Sequence, residues 1–207
     1  MPTPTVEDYV KRIYLEQQQA GGSLVSFGKL AAAMGVVPGT VTTMVKALAD
    51  SNLVAYEPRQ GVRLTPAGEK LALHVLRRHR LLELLLVKVL GFDWSEVHAE
   101  AEQMEHAVSD RVLERMDEIL GRPSFDPHGD PIPSAAGKVF QPKVQALSCA
   151  QPGEHGVIAR ITDQDARFLR YASDHGLVPG AGIAIQSNDP VGESITMIIH
   201  KKPLTLG

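Results

Sequence analysis

The segment VHAEAEQMEHAVSD, residues 97–110, sets His98, Glu102, Glu105 and His106 at i, i+4, i+7 and i+8. On a helix of 3.6 residues per turn these four side chains share a face. Upstream, His79 and Glu83 stand at i and i+4 on another helical pattern, and Asp8 lies on the first. Three helices therefore offer imidazoles and carboxylates that can converge. Carboxylates brought this close repel unless a positive group sits between them, so the chemistry is that of a divalent cation site. Carboxylate oxygen suits hard ions, and imidazole adds affinity for Fe²⁺, Mn²⁺, Co²⁺ and Zn²⁺. No thiolate or thioether is well placed, which points to Mn²⁺, with Fe²⁺ as the alternative.

Each of these residues also has a plainer reading. Asp8 fits a capping-box carboxylate, three residues after Thr5. His79 falls in the basic run Arg77-Arg78-His79-Arg80, which reads as a solvated face. Glu102 and Glu105 can simply face water. It is the clustering on one face, rather than any single residue, that favours a metal.

The elements that must position these groups follow from periodicity. Val6, Tyr9, Val10 and Ile13 form one apolar stripe, so residues 5–20 read as a helix that Gly21-Gly22 stop. Ser26 opens a short helix ended by Gly35. Pro38 opens a third, which buries Val41, Met44, Val45 and Leu48 and shows Thr40, Thr42, Thr43 and Lys46. Residues 53–56 and 62–64 then read as a hairpin about Pro58-Arg59-Gln60-Gly61. Two helices, a third and a two-stranded wing make a winged helix-turn-helix. Its third helix suits the major groove of DNA, and its wing suits phosphates. Thr40 and Thr43 are the expected base-reading contacts, with Lys46 and Arg59 on phosphates.

Residues 67–90 and 94–120 read as two longer helices. The run Leu81–Leu86 is more apolar than one face needs, which suggests burial against a second chain. Prolines and glycines from 121 to 137 mark a linker or irregular loop. The remainder reads as short strands at 157–161, 182–186 and 195–200, with one short helix near 165–172.

Composition agrees with a folded, soluble chain: of 207 residues, 43% are apolar and 22% charged. No uncharged apolar run reaches the ~18 residues of a membrane span, and no secretion signal opens the chain. A cytoplasmic protein with no membrane partner is expected. The single cysteine, Cys149, excludes a disulfide framework and a cysteine-rich zinc site. The net charge of −3 is uneven. Residues 1–72 carry seven Lys/Arg against six Asp/Glu, residues 73–140 eight against twelve, and residues 141–207 six of each. The acidic excess thus falls in the stretch that holds His79, His98 and His106.

The stretches TVEDYVKRIYLEQ, VTTMVKAL, RLTPAGEKLA, RRHRLLE, VHAEAEQMEHAVSD and DPHGDPIP carry a resemblance. The chain resembles the diphtheria toxin repressor family of metal-dependent transcriptional regulators over essentially its whole length, and within it the manganese-responsive branch. The tail around GLVPG resembles the SH3-like domain of longer members. The resemblance implies a mainly α protein with small β parts in three domains. These are a winged helix-turn-helix at 1–72, a helical metal-binding and dimerisation domain at 73–140, and an SH3-like (FeoA-like) β-barrel domain at 141–207. It implies two metal sites per protomer: a primary one on Asp8, Glu102, Glu105 and His106, and an ancillary one on His79, Glu83 and His98. Iron-responsive members place Met and Cys where this chain has Asp8 and Glu102. The replacement of sulfur by oxygen agrees with Mn²⁺.

The chain departs from the pattern at Lys11, where short manganese regulators have a Glu that bridges two metals. Lys11 favours two separated sites. Asp126 and His128 lie where some members bind a further metal, but Arg80 stands in place of an acidic partner there. Asp163, Gln164 and Asp165 are candidates for ligands from the SH3-like domain.

The expected function is a homodimeric, metal-dependent repressor that binds palindromic operator DNA and controls metal-homeostasis genes. It takes no organic ligand. An iron(II)-responsive repressor is the alternative within the family. A di-metal hydrolase is the alternative outside it, disfavoured because neither a nucleophile nor an HExxH motif is present.

Overall fold

The computed structural model describes residues 2–207. Helix α1 spans Pro4–Gln19, α2 Phe27–Met34, α3 Pro38–Asp50 and α4 Pro66–Lys88, with the hairpin β1 Val54–Glu57 and β2 Gly61–Leu64 between α3 and α4. Helices α5 (Val97–Met104) and α6 (Asp110–Ile119) follow. The C-terminal part holds β3 His155–Val157, α7 Ala166–Asp174, β4 Gly182–Asp189, β5 Ser194–Ile199 and β6 Lys202–Leu206. The chain forms two compact units. The first runs to residue 79 and takes in 105–108 and 133–138; the second comprises 80–104, 109–132 and 139–207.

In the first unit α1 begins earlier than periodicity suggests. Pro4 takes the first helical position, where its missing N–H costs nothing, and the Thr3 hydroxyl accepts from Val6 N at 3.4 Å. Thr3 rather than Thr5 is therefore the cap, and Asp8 lies beyond the capping positions. Its carboxylate is left for other work. Ser26 caps α2 through Lys29 N at 3.2 Å, and Gly35 ends it in the left-handed region at φ 65°. Helices α2 and α3 meet at 105°, within the usual helix-turn-helix range. Val41, Val45 and Leu48 of α3 are buried, as are Tyr9, Val10 and Ile13 of α1.

The wing is an antiparallel pair, Val54 opposite Leu64 and Glu57 opposite Gly61. Val25 extends it by exchanging two backbone hydrogen bonds with Val62, at 2.8 and 2.9 Å. Gly61 permits this approach, because a Cβ there would lie 2.6 Å from the Val25 carbonyl oxygen.

The second unit contains a four-stranded antiparallel meander, β3-β4-β5-β6. Strand β5 alternates buried and half-buried residues, and Ile195, Met197 and Ile199 join Ile185, Leu204 and the α7 residue Ala172 in one core. Periodicity points to β4 and β5; the strand expected over 157–161 meets β3 only at Val157, and β6 is not anticipated. Leu81, Leu82, Leu84 and Leu86 are buried within the single chain. The excess apolarity of that run is met without a second copy, so it is no argument for an interface.

One close contact fixes how α4 leaves the wing. A Cβ at Gly68 would sit 1.9 Å from the Leu53 carbonyl oxygen. Gly68→Ala should therefore force a backbone shift and cost about 1–3 kcal/mol, read as a lower thermal midpoint in chelator. An unchanged midpoint would show that α4 can move away from Leu53 freely.

Candidate metal centre

The helix expected over 94–120 is two helices. α5 ends at Met104, residues 105–107 form a turn, and Ser109 caps α6 through Val112 N at 3.4 Å. Glu105 and His106 consequently do not share a helical face with His98 and Glu102. The turn carries them to the first unit, while His98 and Glu102 remain in the second.

In the first unit Asp8, Glu105 and His106 offer ligand atoms all within 4.8 Å of one another. The His106 Nε2 lies 2.9 Å from Asp8 Oδ1 and 3.6 Å from Glu105 Oε1. Glu105 is fully buried, and both of its oxygens are engaged. Lys11 Nζ donates to Oε1 at 2.6 Å, and His79 Nδ1 meets Oε2 at 2.6 Å. His106 Nδ1 meets Glu7 Oε2 at 2.7 Å, and Arg78 donates to the other Glu7 oxygen at 2.7 Å. The donors suit a divalent cation: two carboxylates and one imidazole nitrogen, with no sulfur. Each carboxylate oxygen has two acceptor sites, so Lys11 does not exhaust Glu105.

Helix α1 presents Glu7 and Lys11, one turn apart, as buried charges at 6% and 7% exposure. The basic run at 77–80 is buried as well, contrary to a solvated face. Arg77 reaches the Pro133 carbonyl, Arg78 takes Glu7, His79 takes Glu105, and Arg80 faces Asp126 at 3.7 Å and Asp130 at 3.6 Å. Glu7 and Arg78 are the residues that sequence reasoning passed over. The one available signal was Glu7's place beside Asp8, and nothing in its type separates a buried carboxylate from a solvated one.

The second unit has its own acidic and imidazole groups. His98 Nδ1 lies 3.1 Å from Glu83 Oε1, and its Nε2 3.7 Å from Glu102 Oε1. Glu83, Asp126 and His128, all buried, bring ligand atoms within 4.8 Å of one another. The loop of 126–130 is wound around Asp126, whose Oδ1 accepts from the backbone N–H groups of His128 and Asp130 at 2.8 and 2.9 Å. Burial, then the Glu83 and Asp130 carboxylates, push Asp126 up to about 7 against the pull of Arg80 and His128. Burial lowers His128, but Glu83, the Trp94 carbonyl and Asp126 outweigh it and leave it raised. Among the C-terminal candidates, Asp165 caps α7 through Arg167 N and Phe168 N, while Asp163 accepts from Asp165 N at 2.9 Å. Their carboxylates serve that turn.

The expected DNA contacts lie on the exposed side of the winged helix. Thr40, Thr43, Lys46 and Arg59 are all exposed. The Thr43 hydroxyl donates to the Gly39 carbonyl at 3.2 Å, which leaves its oxygen to accept and its methyl to make apolar contact. No side chain caps the α3 N-terminus at Val37.

Residues 1–62 match the family described as the iron dependent repressor N-terminal DNA binding domain. Residues 65–134 match its metal binding and dimerisation domain, and residues 145–207 the FeoA domain. The iron-dependent repressor IdeR of Mycobacterium leprae is 30% identical over 98% of this chain and 92% of its own length. The HTH-type transcriptional regulator MntR of Lysinibacillus sphaericus is 37% identical over 58% of this chain and 84% of its own. A manganese-dependent transcriptional repressor solved with manganese superposes at a TM-score of 0.89 with 38% identity, covering 98% of this chain and 94% of that one. Three consecutive domain matches and end-to-end similarity at this level leave one assignment: the chain belongs to the diphtheria toxin repressor family of iron- and manganese-dependent transcriptional repressors, and is not an enzyme.

Proposed function

We propose that this repressor is activated by Mn²⁺, and that as a homodimer it binds palindromic operators of metal-homeostasis genes. The observation that carries the choice of metal is the pairing of Asp8 Oδ1 with His106 Nε2 beside the buried Glu105. All three offer oxygen or nitrogen. Asp8, Glu105 and His106 would hold the primary cation, with Glu102 as a further ligand. His79, Glu83 and His98 would hold the ancillary one. When bound, the cation supplies positive charge that offsets the carboxylates.

The chain's own residues turn that charge into a DNA response. Asp8 lies on α1, which packs against α2 and β2 of the winged helix. Fixing Asp8 against the 105–108 turn therefore fixes the base on which α3 is mounted. Affinity for cation and for DNA must rise by the same factor, typically ~5–150-fold in such couplings. In a two-fold dimer the recognition helices meet half-sites spaced by turns of the duplex. We further propose domain boundaries near 72 and 140 and a cytoplasmic location, the latter because a repressor must share a compartment with its operator DNA.

The test is a gel-shift of the chain's own upstream DNA with Mn²⁺, with anaerobic Fe²⁺ and with chelator. Retardation only with metal, strongest with Mn²⁺, is expected; equal retardation in chelator refutes the proposal. Asp8→Met exchanges oxygen for thioether and should shift preference towards Fe²⁺; an unchanged Mn²⁺/Fe²⁺ ratio sinks the selectivity argument. Lys46→Ala and Arg59→Ala should each flatten the salt dependence of binding by about one unit. Lys11→Met removes the buried ammonium from Glu105 and leaves its Oε1 without that partner, while His79 still meets Oε2. It should cost about 3–5 kcal/mol in chelator, seen in denaturant melts, with part of the loss restored by Mn²⁺.

A further inference from the structure

We infer that Glu7, held by Arg78, is a positioning residue that fixes His106 with Nε2 towards the cation. This inference rests on the proposed primary site of Asp8, Glu105 and His106. Its ground is an arrangement in which two consecutive carboxylates of α1 grip the two nitrogens of one imidazole. Glu7 Oε2 lies 2.7 Å from Nδ1, and Asp8 Oδ1 lies 2.9 Å from Nε2.

The two carboxylates are not equivalent. Glu7 is buried at 6% exposure, and its second oxygen is taken by Arg78 NH2 at 2.7 Å. The Asp8 side chain is 35% exposed. An ionised carboxylate only accepts hydrogen bonds, so the nitrogen facing Glu7 carries the hydrogen. With the other Glu7 oxygen held by a guanidinium from α4, turning the ring away would leave the buried Oε2 without its His106 partner. Nε2 is then the nitrogen presented to Asp8 and, at 3.6 Å, to Glu105 Oε1. A carboxylate on the far nitrogen of a ligating histidine fixes its tautomer and raises its basicity, and losing it typically weakens metal binding by about 10–100-fold.

The competing reading makes Glu7 a mere counter-ion for the buried Arg78. The two readings part in the imidazole itself. The full-length protein is labelled with ¹⁵N-histidine and loaded with Zn²⁺, which is diamagnetic, and Mn²⁺ affinity is measured in parallel by EPR of the free ion. In the unsubstituted chain the zinc-loaded ring should show metal on Nε2 and a hydrogen on Nδ1 with a strongly downfield proton. Glu7→Ala should weaken Mn²⁺ binding about tenfold or more and give a mixture of ring forms. Glu7→Gln keeps the volume and an accepting oxygen, so it should recover most of the affinity while moving the Nδ1–H resonance upfield.

Wild-type Mn²⁺ affinity in Glu7→Ala, with a lower melting temperature as the sole change, overturns the inference. So does an unmoved Nδ1–H resonance in Glu7→Gln, which applies even where Glu7→Ala does not fold. Asp8→Ala separates the two levels. If it titrates with Mn²⁺ like the unsubstituted chain, the site itself is wrong. If it loses Mn²⁺ while Glu7→Ala keeps it, only the positioning role of Glu7 falls.

Discussion

A carboxylate with no exposure to water must find polar partners inside the protein, and Glu105 is such a group. Its partners come from two directions, Lys11 from α1 and His79 from α4. That one requirement draws α1, α4 and the 105–108 turn together. Helix α5 stops at Met104, and the turn that follows brings Glu105 to these two partners. Glu7 repeats the device one turn before Lys11, with Arg78 and His106 as its partners. Four ionic contacts thus cross between α1 and its neighbours within a few residues of Asp8.

Helix α1 consequently works on two faces. Tyr9, Val10 and Ile13 are buried in the winged helix, while Glu7, Asp8 and Lys11 meet Glu105 and His106 of the candidate metal centre. A rigid helix with both duties cannot respond to one without shifting the other. Asp8 is the least buried of the three charges. Its partner in the cluster is the His106 ring, at 2.9 Å.

Much of this was readable from residue order. Ser26, Gly35 and Pro38 bound their helices as capping and dihedral preferences require, because those effects are local. The ligand types were readable too, since carboxylate and imidazole chemistry does not depend on the fold. What could not be read was burial. Arg77, Arg78, His79 and Arg80 look like a solvated run, and partners distant in the chain, among them Pro133, Glu7, Glu105, Asp126 and Asp130, make their burial tolerable. The break after Met104 was partly hidden for the same reason. Within VHAEAEQMEHAVSD the local mark of a break is Ser109, which caps α6, while the partners that Glu105 meets in the turn lie 26 and 94 residues away in the chain.

Charge balance separates this centre from a structural metal site. In a zinc finger the ligands cannot be brought together without the ion, so the apo chain is unfolded. Here Lys11 offsets Glu105 and Arg78 offsets Glu7, leaving Asp8 opposite the His106 ring. The cluster can close without a divalent ion because covalently attached cations already neutralise most of it. Under the proposed primary site, a bound cation would add little to whether the unit folds and would act instead on how firmly Asp8, and with it α1, is held against the 105–108 turn. That is the division a regulator needs, since a protein that unfolded at low metal would report degradation rather than metal level. The Lys11 ammonium, 2.6 Å from Glu105 Oε1, supplies positive charge there at any metal concentration.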